Sequence, residues 1–169
     1  MAKLKPEHER LIQEVSAEIP RWQSEVQTFD EEAARRLGQN LTDLHCLGLL
    51  VHQGPMTAGQ LAEAAGRTPG AITAAIDRWE EAGYAERIRS ATDRRSVLVK
   101  LTAKANKAFH EIWNPTAQDG YRLLQGYSLA ELALIRDFVR RCRELQIKHI
   151  TRIRAEAIRA GPAVCLPHE

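Results

Sequence analysis

Two stretches of this chain carry residue types whose spacing fits a definite physical task. In residues 58–77, AGQLAEAAGRTPGAITAAID, Ala62 is small enough for two helices to cross closely. Gly66 follows four positions later, where a sharp turn needs a residue that accepts positive φ. Ile72, Ala75 and Ile76 then recur at helical spacing, and with Leu61 and Ala65 they give the second helix a face to fold back on the first. That is helix-turn-helix spacing, although an αα-hairpin built only for stability would show it equally well. The second stretch discriminates. Residues 84–89 (YAERIR) and 96–101 (SVLVKL) read as strands, with Val97 and Val99 alternating with Leu98 and Lys100. Between them lies a polar tip, SATDRR, ending in Asp93-Arg94-Arg95. A helix-turn-helix followed at once by such a hairpin is a winged helix. Arginine suits a wing tip because the narrow minor groove of DNA concentrates negative potential. Asp93 can fix the direction of a neighbouring guanidinium through a charge-assisted hydrogen bond. A solvated Asp-Arg-Arg turn is the plain alternative.

Elements on both sides must hold these stretches in place. Leu11, Ile12, Val15 and Ile19 predict a short N-terminal helix ending near Pro20. A second helix is expected to start at Pro20, a residue tolerated in a first turn, and to carry Trp22, Val26, Phe29, Ala33 and Leu37 as far as the Gly38 cap. Residues 41–52, with Leu44, Leu47, Leu50 and Val51, form a compact helix closed by Gly54-Pro55. Residues 58–65 and 69–82 are two more helical segments, ended by Gly66 and Gly83. After Leu101, Thr102 caps a helix with Phe109, Ile112 and Trp113 on one face, which Asn114-Pro115 should kink or interrupt. Ser128-Leu129-Ala130-Glu131 is a capping box. It opens a last long helix striped with Leu132, Ile135, Val139, Cys142, Leu145, His149, Ile150 and Ile153. The fold class that follows is mostly α, an α+β winged helix-turn-helix with long helices at both ends and a two-stranded β-wing.

Charge placement supports a nucleic-acid partner more than the total does. The formal charge of the 169 residues is only +2, but from Arg67 to Lys104 eight basic residues face five acidic ones. The first 36 residues lean the other way, with six basic and eight acidic. Positive charge is thus concentrated around the helix-turn-helix and wing. The arginines of the last helix (Arg136, Arg140, Arg141, Arg143, Arg152, Arg154) read as its solvated face.

Other chemistries lack their residues. No GxSxG, P-loop or dinucleotide glycine pattern occurs, and Gly66 to Gly70 lacks the lysine of a phosphate cradle, so no enzyme and no cofactor are expected. The six histidines form no HxH or HExxH spacing; His45 and His52, seven apart on one helical face, do not amount to a metal site. Cys46, Cys142 and Cys165 lie far apart, which excludes a disulfide framework or zinc finger. The N-terminal residues show no apolar leader core and no apolar run of about 18 residues occurs, so no membrane partner and a cytoplasmic location are expected.

Taken in order, Leu41-Thr42, Gly54-Pro55-Met56-Thr57, Gln60-Leu61-Ala62, Ile72-Thr73, Asp77-Arg78, Glu81-Ala82-Gly83-Tyr84, Asp93-Arg94-Arg95 and Val97-Leu98-Val99-Lys100-Leu101-Thr102 resemble the MarR (multiple antibiotic resistance regulator) family. The resemblance covers roughly residues 20–155. It implies a homodimeric transcription regulator, a repressor or autorepressor, that binds double-stranded DNA at a pseudo-palindromic operator. Its layout would be an N-terminal helical extension (1–19), a dimerisation helix (20–40), a winged helix-turn-helix domain (41–104; helix-turn-helix 58–82, wing 84–101) and C-terminal dimerisation helices (105–160). A disordered tail (161–169) would follow. Residues 69–82 become the recognition helix, with Thr68, Pro69, Gly70, Ala71 and Thr73 at base edges. Arg67, Arg78 and Arg89 become phosphate clamps, and Arg94 and Arg95 the wing arginines oriented by Asp93. Ala74 replaces a frequent polar or basic residue, Gly70 weakens the first turn, and Ala105 replaces a usual glycine. A Thr-Gly-Ala-Thr face offers few donors, which shifts specificity toward shape and thymine methyl contacts.

Relatives of this type commonly release DNA on binding a small anionic or phenolic effector, or on oxidation. Trp22, Phe29, His45, Trp79 and Trp113 are the effector-pocket candidates by type, against a plain role in core packing. Cys46 sits beside Leu47 and Leu50, where an apolar face opposes thiol reactivity. A helical winged-fold module that binds protein, or an architectural protein that binds DNA without sequence preference, remains the alternative reading.

Overall fold

In a computed structural model the described residues are 5–90, 93 and 95–160. The elements run α1 (Pro6–Arg36), α2 (Leu41–Gln53), β1 (Met56–Thr57), α3 (Ala58–Ala65), α4 (Pro69–Glu81), β2 (Ala85–Arg89), β3 (Val97–Leu101), α5 (Ala103–Leu124) and α6 (Leu129–Ala160). The chain divides into two compact units, Met1–Pro115 and Thr116–Glu169. The expected tail at 161–169 lies outside the described residues.

Within the first unit, α1 differs from expectation: it is one helix of 31 residues with Pro20 inside it. The reason lies in the apolar phase, which does not break at the proline. Val15, Ile19, Trp22, Val26 and Phe29 advance by alternating steps of four and three, so one helical face runs through a residue that costs a single backbone hydrogen bond. Pro115 likewise lies inside α5. The helix-turn-helix forms as its residues dictate. Thr57 and Gln60 close a reciprocal capping box on α3, with Gln60 N–H donating to Thr57 Oγ1 at 3.1 Å and Thr57 N–H to Gln60 Oε1 at 2.9 Å. Gly66 ends α3 at φ +63, the left-handed conformation that favours glycine. Thr68 then caps α4, its Oγ1 accepting from Ala71 N–H at 3.3 Å, and Pro69 occupies the first turn.

The hairpin pairs β2 with β3 in antiparallel register from Ala85 opposite Leu101 to Arg89 opposite Val97. A third strand was not foreseen. Met56 and Thr57 pair with Val99 and Leu98, giving the sheet order β1-β3-β2. Two residues are too few to show period-2 alternation, and Gly54-Pro55 reads as a loop. The core lies between α2, α3, α4 and the sheet, with Cys46, Leu47, Leu61, Ile72, Ile76, Trp79 and Val99 fully buried. Burying Ile72 and Ile76 contributes about 1.5–3 kcal/mol each and fixes which face of α4 points outward.

In the second unit, α6 opens on the capping box expected at Ser128. The Ser128 N–H and Oγ–H donate to Glu131 Oε2 at 2.8 and 2.7 Å, and Glu131 N–H donates back to Ser128 Oγ at 3.3 Å. The serine hydroxyl, then its N–H, hold the Glu131 carboxyl below its ordinary range. Leu134, Val139, Leu145, Ile150 and Ile153 of α6 are all exposed, as are Leu11, Ile12, Val15, Trp22 and Val26 of α1 in the first unit. No helix among the described residues is long and apolar enough to cross a membrane.

Candidate nucleic-acid interface

The outward face of α4 follows from its buried one. Because Ile72, Ala75, Ile76 and Trp79 are buried, Thr68, Pro69, Gly70, Ala71, Thr73 and Ala74 are left exposed at its N-terminal end, together with Arg67 before it. Five of the expected base-edge residues therefore share one exposed patch. Thr73 uses its hydroxyl hydrogen on the Pro69 carbonyl (3.0 Å), which leaves its methyl group and oxygen lone pairs for a partner. Gly70 has open space where a Cβ would stand. Arg67 reaches Thr42 Oγ1 at 3.3 Å and remains exposed.

The C-terminal end of α4 is tied down. Lys104 Nζ donates to the Ala82 carbonyl at 2.7 Å and lies 4.9 Å from the Tyr84 ring centroid, while Thr102 Oγ1 donates to the Gly83 carbonyl at 2.8 Å. These bonds satisfy carbonyls that a helix end leaves open, and the ammonium meets the negative end of the helix dipole. Thr102 also caps α5, accepting from Ala105 N–H at 3.2 Å.

Arg78, Arg87, Arg89 and Arg95 differ in what holds them. Arg78 Nη2 donates to both carboxylate oxygens of Asp43, at 2.9 and 3.0 Å, and Nη1 to the Ala74 carbonyl at 3.2 Å. Arg87 is held by Asp77 at 2.6 Å and by Glu80, which also accepts the Arg87 N–H at 3.0 Å. The hydrogen bond to Asp77, opposed by burial and reinforced by the charges of Glu80 and Asp77, raises the Arg87 guanidinium further above its ordinary range. Arg89 and Arg95 are exposed and make no ion pair among the described residues. Arg94 lies outside them.

The described residues of the wing turn give Asp93 a second role beside the expected one. Asp93 closes the turn. Its Oδ1 accepts the Arg95 N–H at 3.0 Å and its Oδ2 the Ser96 hydroxyl at 2.7 Å, while its own N–H donates to Ser90 Oγ at 3.2 Å. The Ser96 hydroxyl, then the Arg95 N–H, hold its carboxyl below the ordinary range. An acidic side chain bonding its own backbone two residues on is an Asx turn.

The five aromatic and histidine candidates do not converge. Trp79 is fully buried in the core, and its indole nitrogen has no partner among the described residues. Trp22 is 66% exposed on α1, and His45 is exposed on α2. Only Phe29 and Trp113 meet, edge to face at 6.0 Å, with Phe109 stacked on Trp113 at 4.9 Å. Burial raises the carboxyl of Asp30, next to Phe29, above its ordinary range. Cys46 is fully buried; burial, then the Asp43 charge, push its thiol up against a smaller opposing effect of Arg67. No described group of three or more His, Cys, Asp or Glu residues could hold a metal.

Sequence reasoning missed Asp43, Asn40 and Arg87. Asp43 was hidden inside an apolar helix pattern. Its only local signal is the Asn40-x-x-Asp43 spacing, in which Asn40 Oδ1 accepts the Asp43 N–H at 2.8 Å.

Comparison with known proteins places this geometry. The MarR family model matches residues 40–97, from the start of α2 to the start of β3. The HTH-type transcriptional regulator YcgE of Bacillus subtilis is 33% identical over 126 residues, which is 75% of this chain and 82% of that one. A MarR family protein from Bacillus stearothermophilus superposes with a TM-score of 0.62 at 19% identity, covering 82% of this chain and 97% of that one. The structure of NadR in complex with 4-hydroxyphenylacetate gives a TM-score of 0.53 at 22% identity, covering 82% and 93%.

Proposed function

This chain belongs to the MarR family of DNA-binding transcription regulators, and from that premise we propose that it is a homodimeric repressor of a pseudo-palindromic operator, its own promoter included. The observation that carries the reading is the exposed patch from Arg67 to Thr73 at the head of α4, in the same compact unit as a wing whose Arg89 and Arg95 are unpaired among the described residues. Thr68, Pro69, Gly70, Ala71 and Thr73 read base edges and thymine methyl groups. Arg67, Arg78 and Arg89 hold phosphates, and Arg95, with Arg94 beside it, enters the minor groove from a turn closed by Asp93. The exposed apolar residues of α1 and α6 support dimerisation, because a second copy would cover them. Two-fold symmetry then sets two half-sites about one helical turn apart, on the order of 10 bp.

Release by a small molecule is the second part of the proposal. NadR was crystallised with 4-hydroxyphenylacetate, and small aromatic acids are accordingly the class to screen. Among the effector candidates Phe29 and Trp113 are the favoured pair, since they meet and Asp30 is partly buried beside Phe29. His45 and Trp22 are further candidates exposed enough to take part, and Trp79 would act only through the core.

The test is selection of bound fragments from sheared source DNA, followed by salt titration of the recovered site and sedimentation of the complex. A symmetric site bound by two copies, lost steeply as salt rises, supports the proposal. Binding without sequence preference favours an architectural role, and no DNA binding favours a protein-interaction module.

A further inference from the structure

The recognition helix is flanked by two ionic contacts that tie it to its neighbours: one leaves its arginine, Arg78, half exposed, and the other engages Arg87 with two acids. On one side Asp43, whose side chain is only 4% exposed, takes Arg78 Nη2 on both oxygens and Asn40 Nδ2 at 2.9 Å. On the other, Arg87 of β2 takes Asp77 and Glu80 from successive turns of α4. Apolar packing alone does not fix α4 at the first place: a cavity of about 630 Å³ opens there, lined by Asn40, Asp43, Arg78 and Glu81 among others. The carboxylate at the head of α2 therefore sets how closely the C-terminal half of α4 approaches α2. One guanidinium nitrogen shared by both Asp43 oxygens, with Nη1 held on the Ala74 carbonyl, also restricts rotation.

We infer that Asp43 and Arg87 are positioning residues for DNA reading, which fix the pitch of α4 between α2 and the wing without themselves touching DNA. The inference rests on the operator-reading function proposed above. Its distinguishing feature is a sign. Asp43 is a negative charge close to the proposed phosphate surface, so electrostatics alone would make its removal strengthen every DNA complex. Positioning makes its removal weaken the specific complex and spare the non-specific one, since base edges demand alignment and phosphates tolerate its loss. Arg87 gives the converse case: it is a cation whose donors are already on Asp77 and Glu80, so its loss should leave the salt dependence of binding where it was.

The full-length protein and its Asp43→Asn and Arg87→Gln variants are titrated against the fluorescein-labelled operator recovered by selection and a scrambled duplex of equal length. Circular dichroism and the thermal midpoint are recorded alongside. Asp43→Asn is expected to weaken operator binding at least tenfold while scrambled binding holds or tightens. Arg87→Gln should lower the operator-to-scrambled ratio with an unchanged salt slope. Tighter binding of Asp43→Asn to both duplexes, a fallen slope for Arg87→Gln, or unchanged ratios in both variants would overturn the inference. If Asp43→Asn does not fold, the exposed Arg87→Gln substitution decides alone. A wild type that binds both duplexes alike overturns operator reading itself, whereas wild-type discrimination that survives both substitutions overturns only the positioning role.

Discussion

Replacing Arg95 with alanine isolates the wing. Its backbone is fixed by the Asp93 carboxylate, and its guanidinium makes no ion pair among the described residues. Nothing in the fold should therefore compensate for its loss. Each cation that displaces counterions from B-DNA contributes about 0.9 to the slope of log K against log salt. A homodimer on two half-sites has two wings, so the slope should fall by about 1.8. Between about 50 and 200 mM salt, wild-type affinity would then drop roughly 12-fold more than that of the variant. Fluorescence anisotropy on the selected operator at four or more salt concentrations measures this directly. Arg10→Ala is the control: it removes the same charge from a 72%-exposed residue of α1, paired with Glu14 and remote in sequence from helix-turn-helix and wing. An unchanged slope for Arg95→Ala, or an equal change for Arg10→Ala, would refute the wing contact. A fall of only about 0.9 would keep the contact and refute the two-wing geometry.

Gly70→Ala should raise the thermal midpoint, since alanine favours a helix by about 0.5–1 kcal/mol over glycine and its Cβ meets open space. If α4 enters the groove at its N-terminal end, the same methyl group should weaken operator binding; a variant both more stable and equally tight would remove Gly70 from the contact surface. Trp79→Phe should change stability by no more than about 1 kcal/mol. The lost volume of a fully buried side chain is offset by deleting an indole N–H that has no partner among the described residues, a group whose burial costs about 1–3 kcal/mol. A loss above about 3 kcal/mol in chemical denaturation would show that the N–H is satisfied in solution. Asp93 sets the acid limit of the wing turn. Its folded pKa is depressed, so the stability it contributes is present above the unfolded carboxyl value and is lost as pH falls through the lower folded value. In an NMR titration the Asp93 carboxyl and the Ser96 resonances should move together, with a midpoint below the ordinary carboxyl range; a midpoint at or above it would mean that the turn is open.

How much of this was legible depends on the range of the interaction. Ala62, Gly66, Ile72 and Ile76 identified the helix-turn-helix because its packing is set within about twenty residues of sequence, where periodicity speaks directly. Pro20 misled for the opposite reason. A local breaker outweighed an apolar phase that runs unbroken from Val15 to Phe29, and the long helix follows the phase. Asp93 was read as a partner for arginine because charge suggests charge, and its bonds to the Arg95 N–H and the Ser96 hydroxyl, which close the turn, were not foreseen. Asp43 with Arg78, 35 residues apart, and Arg87 with Asp77, 10 apart, were beyond any pattern. The arginine count around α4 consequently overstated the unpaired charge there: Arg78 shares its charge with Asp43 and Arg87 with two acids, which leaves Arg67, Arg89 and Arg95 as the described arginines of the helix-turn-helix and wing that make no ion pair among the described residues. On the proposed reading, basic residues of this unit serve to meet phosphate, to aim the helix or, like Arg78, both, and their acidic partners are what mark the second role.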